Sequence, residues 1–211
     1  MLYQDLRQEV LNTTLNLHKN GVIPLTYGNI SARADMDHFV ITPTSIPYEG
    51  MKPEDIVVVD MLGNVVEGHY RPSSETPMHR MIYVERSDVG AVIHTHAPYA
   101  TALAIVGRSI PICSVEGLDL GFVVPVTEYA PPGTNEIGCE AIRTLSGPPI
   151  VTSVLLKNHG TLSIGLNLYQ TYVTAFTTEV AAQHYYLALQ VGEPILIVER
   201  DTNTPAYSQN N

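Results

Sequence analysis

The sequence is short of positive charge: 11 lysines and arginines stand against 21 aspartates and glutamates, a formal charge of −10 at pH 7. A molecule of that sign repels nucleic acid and acidic membrane surfaces as a whole, so neither is an expected partner, although local donors can still hold a small anion. The chain also lacks any uninterrupted apolar run near the roughly 20 residues that a bilayer span requires. Its opening, MLYQDLRQEV, has no basic and apolar leader pattern, so a soluble, cytoplasmic protein is expected. Cysteine is scarce: Cys113 and Cys139 form neither a CxxC pair nor a disulfide-rich pattern, which leaves reduced thiols as the expectation. Several catalytic signatures are missing as well. Without GxGxxG or a P-loop neither nucleotide motif is supported, without HExxH the chain is not a zincin, and GxSxG is absent too.

What the chain does have is 45% hydrophobic residues over 211 positions, enough for one well-buried domain spanning 1–211, ending in a polar, loose tail over 200–211. Leu2, Leu6, Val10 and Leu17 follow a helical spacing that Asn20 and Gly21 stop. NISARADMDHFVITP and DIVVVDMLGNVVEG each read as two strands around a polar turn. Ser73 or Ser74 is placed to cap a helix with Pro77 in its first turn and Met78, Met81 and Ile82 on its buried side. VGAVIHTH reads as a strand, YATALAIVG as a helix, and IPICSV and FVVPVTEY as further strands. TNEIGCEAIRTLSG follows as a helix, TSVLLKNHGTLSIG as a strand pair and LYQTYVTAFTTEVAAQHYYLALQVG as a long helix. The order is α/β, dominated by hairpins.

The chemistry gathers around AVIHTHAPYA. Alternate side chains of a strand share a face, so His94 and His96 project the same way and can reach one point off the sheet. A third imidazole, His159, follows an apolar strand and precedes Gly160, as at a strand end opening into a site. Three neutral nitrogens suit Zn²⁺, with Mn²⁺, Co²⁺ and Fe²⁺ as alternatives. A cupin also uses HxH, but it needs a glutamate soon after the pair, where this chain has APYAT. Glu75, in the first turn of a helix, is a fourth ligand candidate; taken alone it is an ordinary partner of the helix dipole. Short polar donors surround these residues in sequence: Asn29 after Gly28, Thr44 and Ser45 after Pro43, and Ser73 and Ser74 before a helix. Hydroxyls and backbone N–H groups at such turns can bind phosphate without a lysine, so a phosphorylated small molecule is the expected substrate.

GNIS, TPTSIPYE, PSSE, HTH and KNHG, in this order and at these separations, resemble the class II aldolase and L-ribulose-5-phosphate 4-epimerase family, from the first helix to the last. The resemblance implies a three-layer α/β/α sandwich around a mostly antiparallel sheet, and a homotetramer with active sites at subunit interfaces. It implies zinc on His94, His96 and His159, and Glu75 as an acid/base that also ligates the metal before substrate arrives. Gly28, Asn29, Thr44, Ser45, Ser73 and Ser74 fall on the phosphate positions, with Ser45 where the aldolases usually carry glycine. The activity so implied is zinc-dependent, reversible cleavage of L-fuculose 1-phosphate or a related ketose 1-phosphate to dihydroxyacetone phosphate and a small aldehyde. The 4-epimerase is the alternative. Glu75 is the aldolase choice, whereas Asp119 falls on the epimerases' second acid/base, with Glu116 as a neighbouring rival. Val115 stands where fuculose-phosphate aldolases place a tyrosine from the next subunit, and Tyr207 is the tail's tyrosine for a lid. Lys157 reads as a strand-end charge. Adducin heads share the fold without catalysis, but are expected to lack the complete metal set found here.

Overall fold

The computed structural model describes residues 1–147 and 151–197, so the expected tail over 200–211, Tyr207 included, lies outside the described residues. Seven strands form one sheet in the order β4-β3-β2-β1-β5-β7-β6, and every adjacent pair is antiparallel. They are β1 (Gly28–Arg33), β2 (His38–Ile41), β3 (Val57–Asp60), β4 (Val65–Glu67), β5 (Ala91–Thr95), β6 (Ser153–Leu156) and β7 (Gly160–Gly165). Side chains alternate between the two faces as the pleat requires. Phe39, Ile41, Val57, Val59 and Val92 point to one side, where they pack with α2 (Thr76–Glu85) and α5 (Asn135–Leu145). Ile30, Val40, Val58, Ala91 and Ile93 point to the other, against α1 (Gln4–Lys19) and α6 (Leu168–Val191). α3 (Pro98–Ile105) joins that second side, packing with α6 over Leu155. The result is the expected α/β/α sandwich, with both sheet faces dry.

Two of the expected strands do not form. IPICSV and FVVPVTEY meet only in isolated bridges, Ile110 with Val124 and Val126 with Leu155. Pro111 and Pro125 cannot donate to a ladder, and between the two segments Val115–Leu120 winds into a short helix, α4. Ser114 caps it by accepting the Gly117 N–H, and Gly121 ends it at φ 75°. The helix after PSSE also starts later than expected. Glu75, not Ser73 or Ser74, is its N-cap residue, and Ser73 instead accepts the Glu75 N–H at 3.2 Å. Among the described residues no helix is long and apolar enough to cross a membrane. Cys113 and Cys139 are both free.

Candidate active site

β5 carries His94 onto the sheet face that α2 covers, between Asn29 of β1 and Leu162 of β7. His96 lies one residue past the strand end, where its N–H donates to the Tyr27 carbonyl at 3.2 Å. The two side chains do project together, and their Nε2 atoms are 3.0 Å apart. His159 comes from the turn between β6 and β7, a tight reversal that Asn158 makes possible by adopting φ 60°. Its ring centre is 4.7 Å from that of His94 and 4.8 Å from that of His96. A side chain on Gly160 would strike the Thr95 carbonyl, so glycine is what lets this turn close against β5. Potential ligand atoms of the three histidines all lie within 4.8 Å of one another; Glu75 is not among this group.

The triad suits a divalent transition metal. His94 Nδ1–H donates to the Thr161 carbonyl at 2.8 Å, which leaves the lone pair on Nε2, facing His96. Burial and the neighbouring imidazoles hold His94 well below the usual histidine range; burial lowers His96 too and brings His159 to about 4. All three are therefore neutral near pH 7, the form that ligates metal. Two nitrogens on a tetrahedral ion with bonds of about 2.0–2.1 Å stand roughly 3.3 Å apart, close to the 3.0 Å seen between His94 and His96.

Glu75 is 6% exposed. Burial raises its carboxyl pKa above the usual range, a shift that the nearby Gly133 N–H partly reverses. Its Oε2 is buried with no partner. The three short donor segments meet through Thr42, whose N–H donates to Ile30 and whose carbonyl accepts from Ser73 N–H at 3.1 Å. Thr44 N–H donates to Arg71, and the Tyr48 hydroxyl to Gly28, so Gly28–Asn29, Thr44–Ser45 and Ser73–Ser74 are tied into one region. Asn29 and Ser73 are buried there, Gly28 and Thr44 half-buried, and Ser45 and Ser74 exposed. Asp119 is exposed on α4, and its side chain makes no hydrogen bond or ion pair among the described residues. Its rival Glu116 is engaged by His184 of α6 at 3.2 Å, and Lys157 by Glu128 at 3.1 Å. Val115 is 67% exposed at the first position of α4.

The family model described as Class II Aldolase and Adducin N-terminal domain matches residues 8–186. The chain belongs to the class II aldolase and adducin family. It is 34% identical over 200 residues to a 5-deoxy-D-ribulose 1-phosphate aldolase of Bacillus thuringiensis serovar kurstaki, covering 94% of this chain and 92% of the relative. It is 37% identical over 186 residues to a 5-methylthioribulose-1-phosphate/5-deoxyribulose-1-phosphate aldolase of Rhodospirillum rubrum, covering 88% and 80%. A solved L-fuculose 1-phosphate aldolase superposes with a TM-score of 0.88 at 35% identity, over 96% of this chain and 94% of that one. The chain is thus an enzyme of the class II aldolase type.

Several residues that support the site of this class II aldolase escaped the sequence reading. The Tyr27 ring stacks on His96 at 5.8 Å with 11° between planes. Glu179 of α6 accepts the N–H groups of Tyr99 and Ala100, both at 2.9 Å, at the start of the helix that follows His96. His79, Ser31 and Tyr83 form a buried hydrogen-bonded set beneath α2. Of these only His79 left a sequence signal, standing four residues after Glu75 on the same helix.

Proposed function

We propose that the protein is a zinc-dependent aldolase that cleaves a ketose 1-phosphate of the 5-deoxyribulose 1-phosphate type, reversibly, to dihydroxyacetone phosphate and a small aldehyde. The observation that carries this reading is the converging, neutral triad of His94, His96 and His159, beside a helix that begins with a buried carboxyl. The names of the two curated relatives favour a deoxygenated or thioether-bearing five-carbon chain, and the apolar Val115 is in keeping with such a tail. L-Fuculose 1-phosphate stays a substrate to test, because the superposed aldolase carries that name.

A divalent ion held by the three histidines would supply Lewis-acid stabilisation of the negative charge that develops at the substrate's ketone oxygen. The chain's own groups do the rest. Gly28, Asn29, Thr44, Ser45, Ser73 and Ser74 would hold the phosphate through hydroxyl, amide and N–H donors. In cleavage a base takes the proton of the C4 hydroxyl, the C3–C4 bond breaks, and the aldehyde departs. Glu75 then returns a proton to C3, which completes dihydroxyacetone phosphate. Its burial favours the protonated carboxyl needed for that step. Asp119 is the group we assign to the C4 hydroxyl. Exposed on α4, it would reach the site of a neighbouring copy in a homotetramer. Exposed Leu166, Tyr169 and Val173 supply apolar surface for such an assembly.

The test is to incubate metal-loaded protein with 5-deoxyribulose 1-phosphate, L-fuculose 1-phosphate and L-ribulose 5-phosphate. Triose phosphate release and C4 epimer formation are followed together, with bound metal measured in parallel. Triose phosphate release that is lost in Glu75→Gln, together with stoichiometric zinc that is lost in His94→Ala, is the expected result. Formation of the C4 epimer without triose phosphate would replace the aldolase by the epimerase.

A further inference from the structure

Two buried polar atoms next to the site have no partner, Glu75 Oε2 and His79 Nε2. They belong to residues one turn apart at the start of α2, where positions i and i+4 share a helix face. His79 is wholly buried, and it lies within electrostatic reach of His94. Its other nitrogen is fixed: Nδ1 is 2.7 Å from the Ser31 hydroxyl, which is 2.7 Å from the Tyr83 hydroxyl.

Counting protons along this set decides which nitrogen of His79 carries one. The Tyr83 hydroxyl has no hydrogen-bond partner other than Ser31 among the described residues, so its proton is satisfied only by donating to Ser31. Ser31 then donates to His79 Nδ1, and the imidazole proton sits on Nε2. The opposite direction leaves the Tyr83 hydroxyl proton buried without an acceptor, in addition to the partnerless Nε2. The first arrangement leaves one orphan, a donor, and the orphan one turn earlier is a carboxyl oxygen, an acceptor in the ionised form of Glu75 that takes a proton from C3. Burial takes the His79 pKa down to about 3, so the ring stays neutral and keeps this single donor at working pH.

We propose that His79 is a positioning residue for Glu75. Its Nε2–H donates to the Glu75 carboxylate through one bridging water and holds it where it exchanges a proton with C3 of the substrate, while Tyr83 and Ser31 lock the imidazole tautomer. The proposal rests on the reading of Glu75 as the acid/base. It adds a role for a buried histidine that neither the metal triad nor the phosphate donors use.

The test compares His79→Gln, whose amide nitrogen can occupy the Nε2 position, with His79→Asn, which keeps the Ser31 contact but has no donor that reaches Glu75. Both are made in the zinc-loaded full chain. The readout is exchange of the C3 proton of dihydroxyacetone phosphate in D₂O followed by NMR, a half-reaction that needs Glu75 without carbon–carbon cleavage. His79→Asn is expected to lower exchange roughly 10- to 100-fold, with bound zinc and the ketose phosphate KM unchanged, and His79→Gln to recover most of the rate. In the Glu75→Gln background, His79→Asn is expected to change the residual rate no further. Equal losses in the Gln and Asn variants, a normal rate in Asn, or an additional loss in the Glu75→Gln background would each overturn the proposal. Unaltered exchange in Glu75→Gln alone would instead remove the acid/base reading on which it stands.

Discussion

α3 begins two residues after His96 with no capping side chain of its own, because Ala97 holds the N-cap position and Pro98 follows it. The N–H groups of Tyr99 and Ala100 are bound instead by Glu179, which lies 9% exposed on α6. Removing that carboxylate orphans both donors at a buried helix start. Each orphan costs about 1–3 kcal/mol, so Glu179→Ala should lower the unfolding free energy by about 3–4 kcal/mol once water entering the space has offset part of the loss. Glu179→Gln keeps one acceptor but turns its amide donors toward the other N–H. It also removes a desolvated charge, since burial raises the Glu179 carboxyl above its usual range against the pull of the two N–H bonds. A loss of about 1–2 kcal/mol is therefore expected for Gln. Because α3 anchors the segment that carries His96, zinc affinity should weaken roughly tenfold in Glu179→Ala. Urea unfolding of the metal-free proteins, with m-values compared to exclude a change in the unfolded state, measures the first effect and competitive zinc titration the second. An Ala variant within about 1 kcal/mol of the parent, or as stable as Gln, would refute the capping argument.

His79 predicts a pH dependence of stability. Its folded pKa of about 3 lies below the ordinary histidine value of 6.5, so the unfolded chain binds the proton that the folded chain refuses. The penalty is absent above pH 6.5, grows by about 1.4 kcal/mol per pH unit below it, and levels off near the folded pKa. Between pH 7 and pH 5 the metal-free parent should lose about 2 kcal/mol more than His79→Gln, whose side chain does not titrate; parallel losses in urea melts would sink the assignment. Ser45 sits at φ 56°, a conformation that favours glycine. Ser45→Gly should leave unfolding stability no lower than the parent, whereas the β-branched Ser45→Val should cost roughly 1–2 kcal/mol. Comparing the two by thermal unfolding, with KM for the ketose phosphate alongside, tells whether the serine hydroxyl serves the phosphate or merely occupies the turn.

The parts of the site that were legible in the sequence are those whose function forces a local pattern. HxH in a strand has one geometric outcome, and the structure brings His94 and His96 together with His159 as the alternation required. The hairpins β1–β2, β3–β4 and β6–β7 were legible for the same reason, because a two-residue period between turn residues leaves few other solutions. The misreadings fall where local signals compete. IPICSV and FVVPVTEY have strand composition, but proline interrupts both, and the Ser114 and Gly121 caps close a helix between them that six residues of VEGLDL did not announce. PSSE offered two serines as caps, and the acidic residue after them took the N-cap place while Ser73 bonded its N–H. Glu179, Thr161 and the Ser31–Tyr83 pair were not legible because each acts across a separation of dozens of residues, through contacts that only the packed sheet and helices create. Ser45 shows what joins the two levels. As a motif residue it stands where the family resemblance leads one to expect glycine, and as a backbone position it occupies the left-handed region where glycine is the unstrained choice. In the proposed function that strained position borders the phosphate site and presents a hydroxyl to it. The position thus carries a mechanical cost and a proposed chemical use, and substitution by glycine separates them.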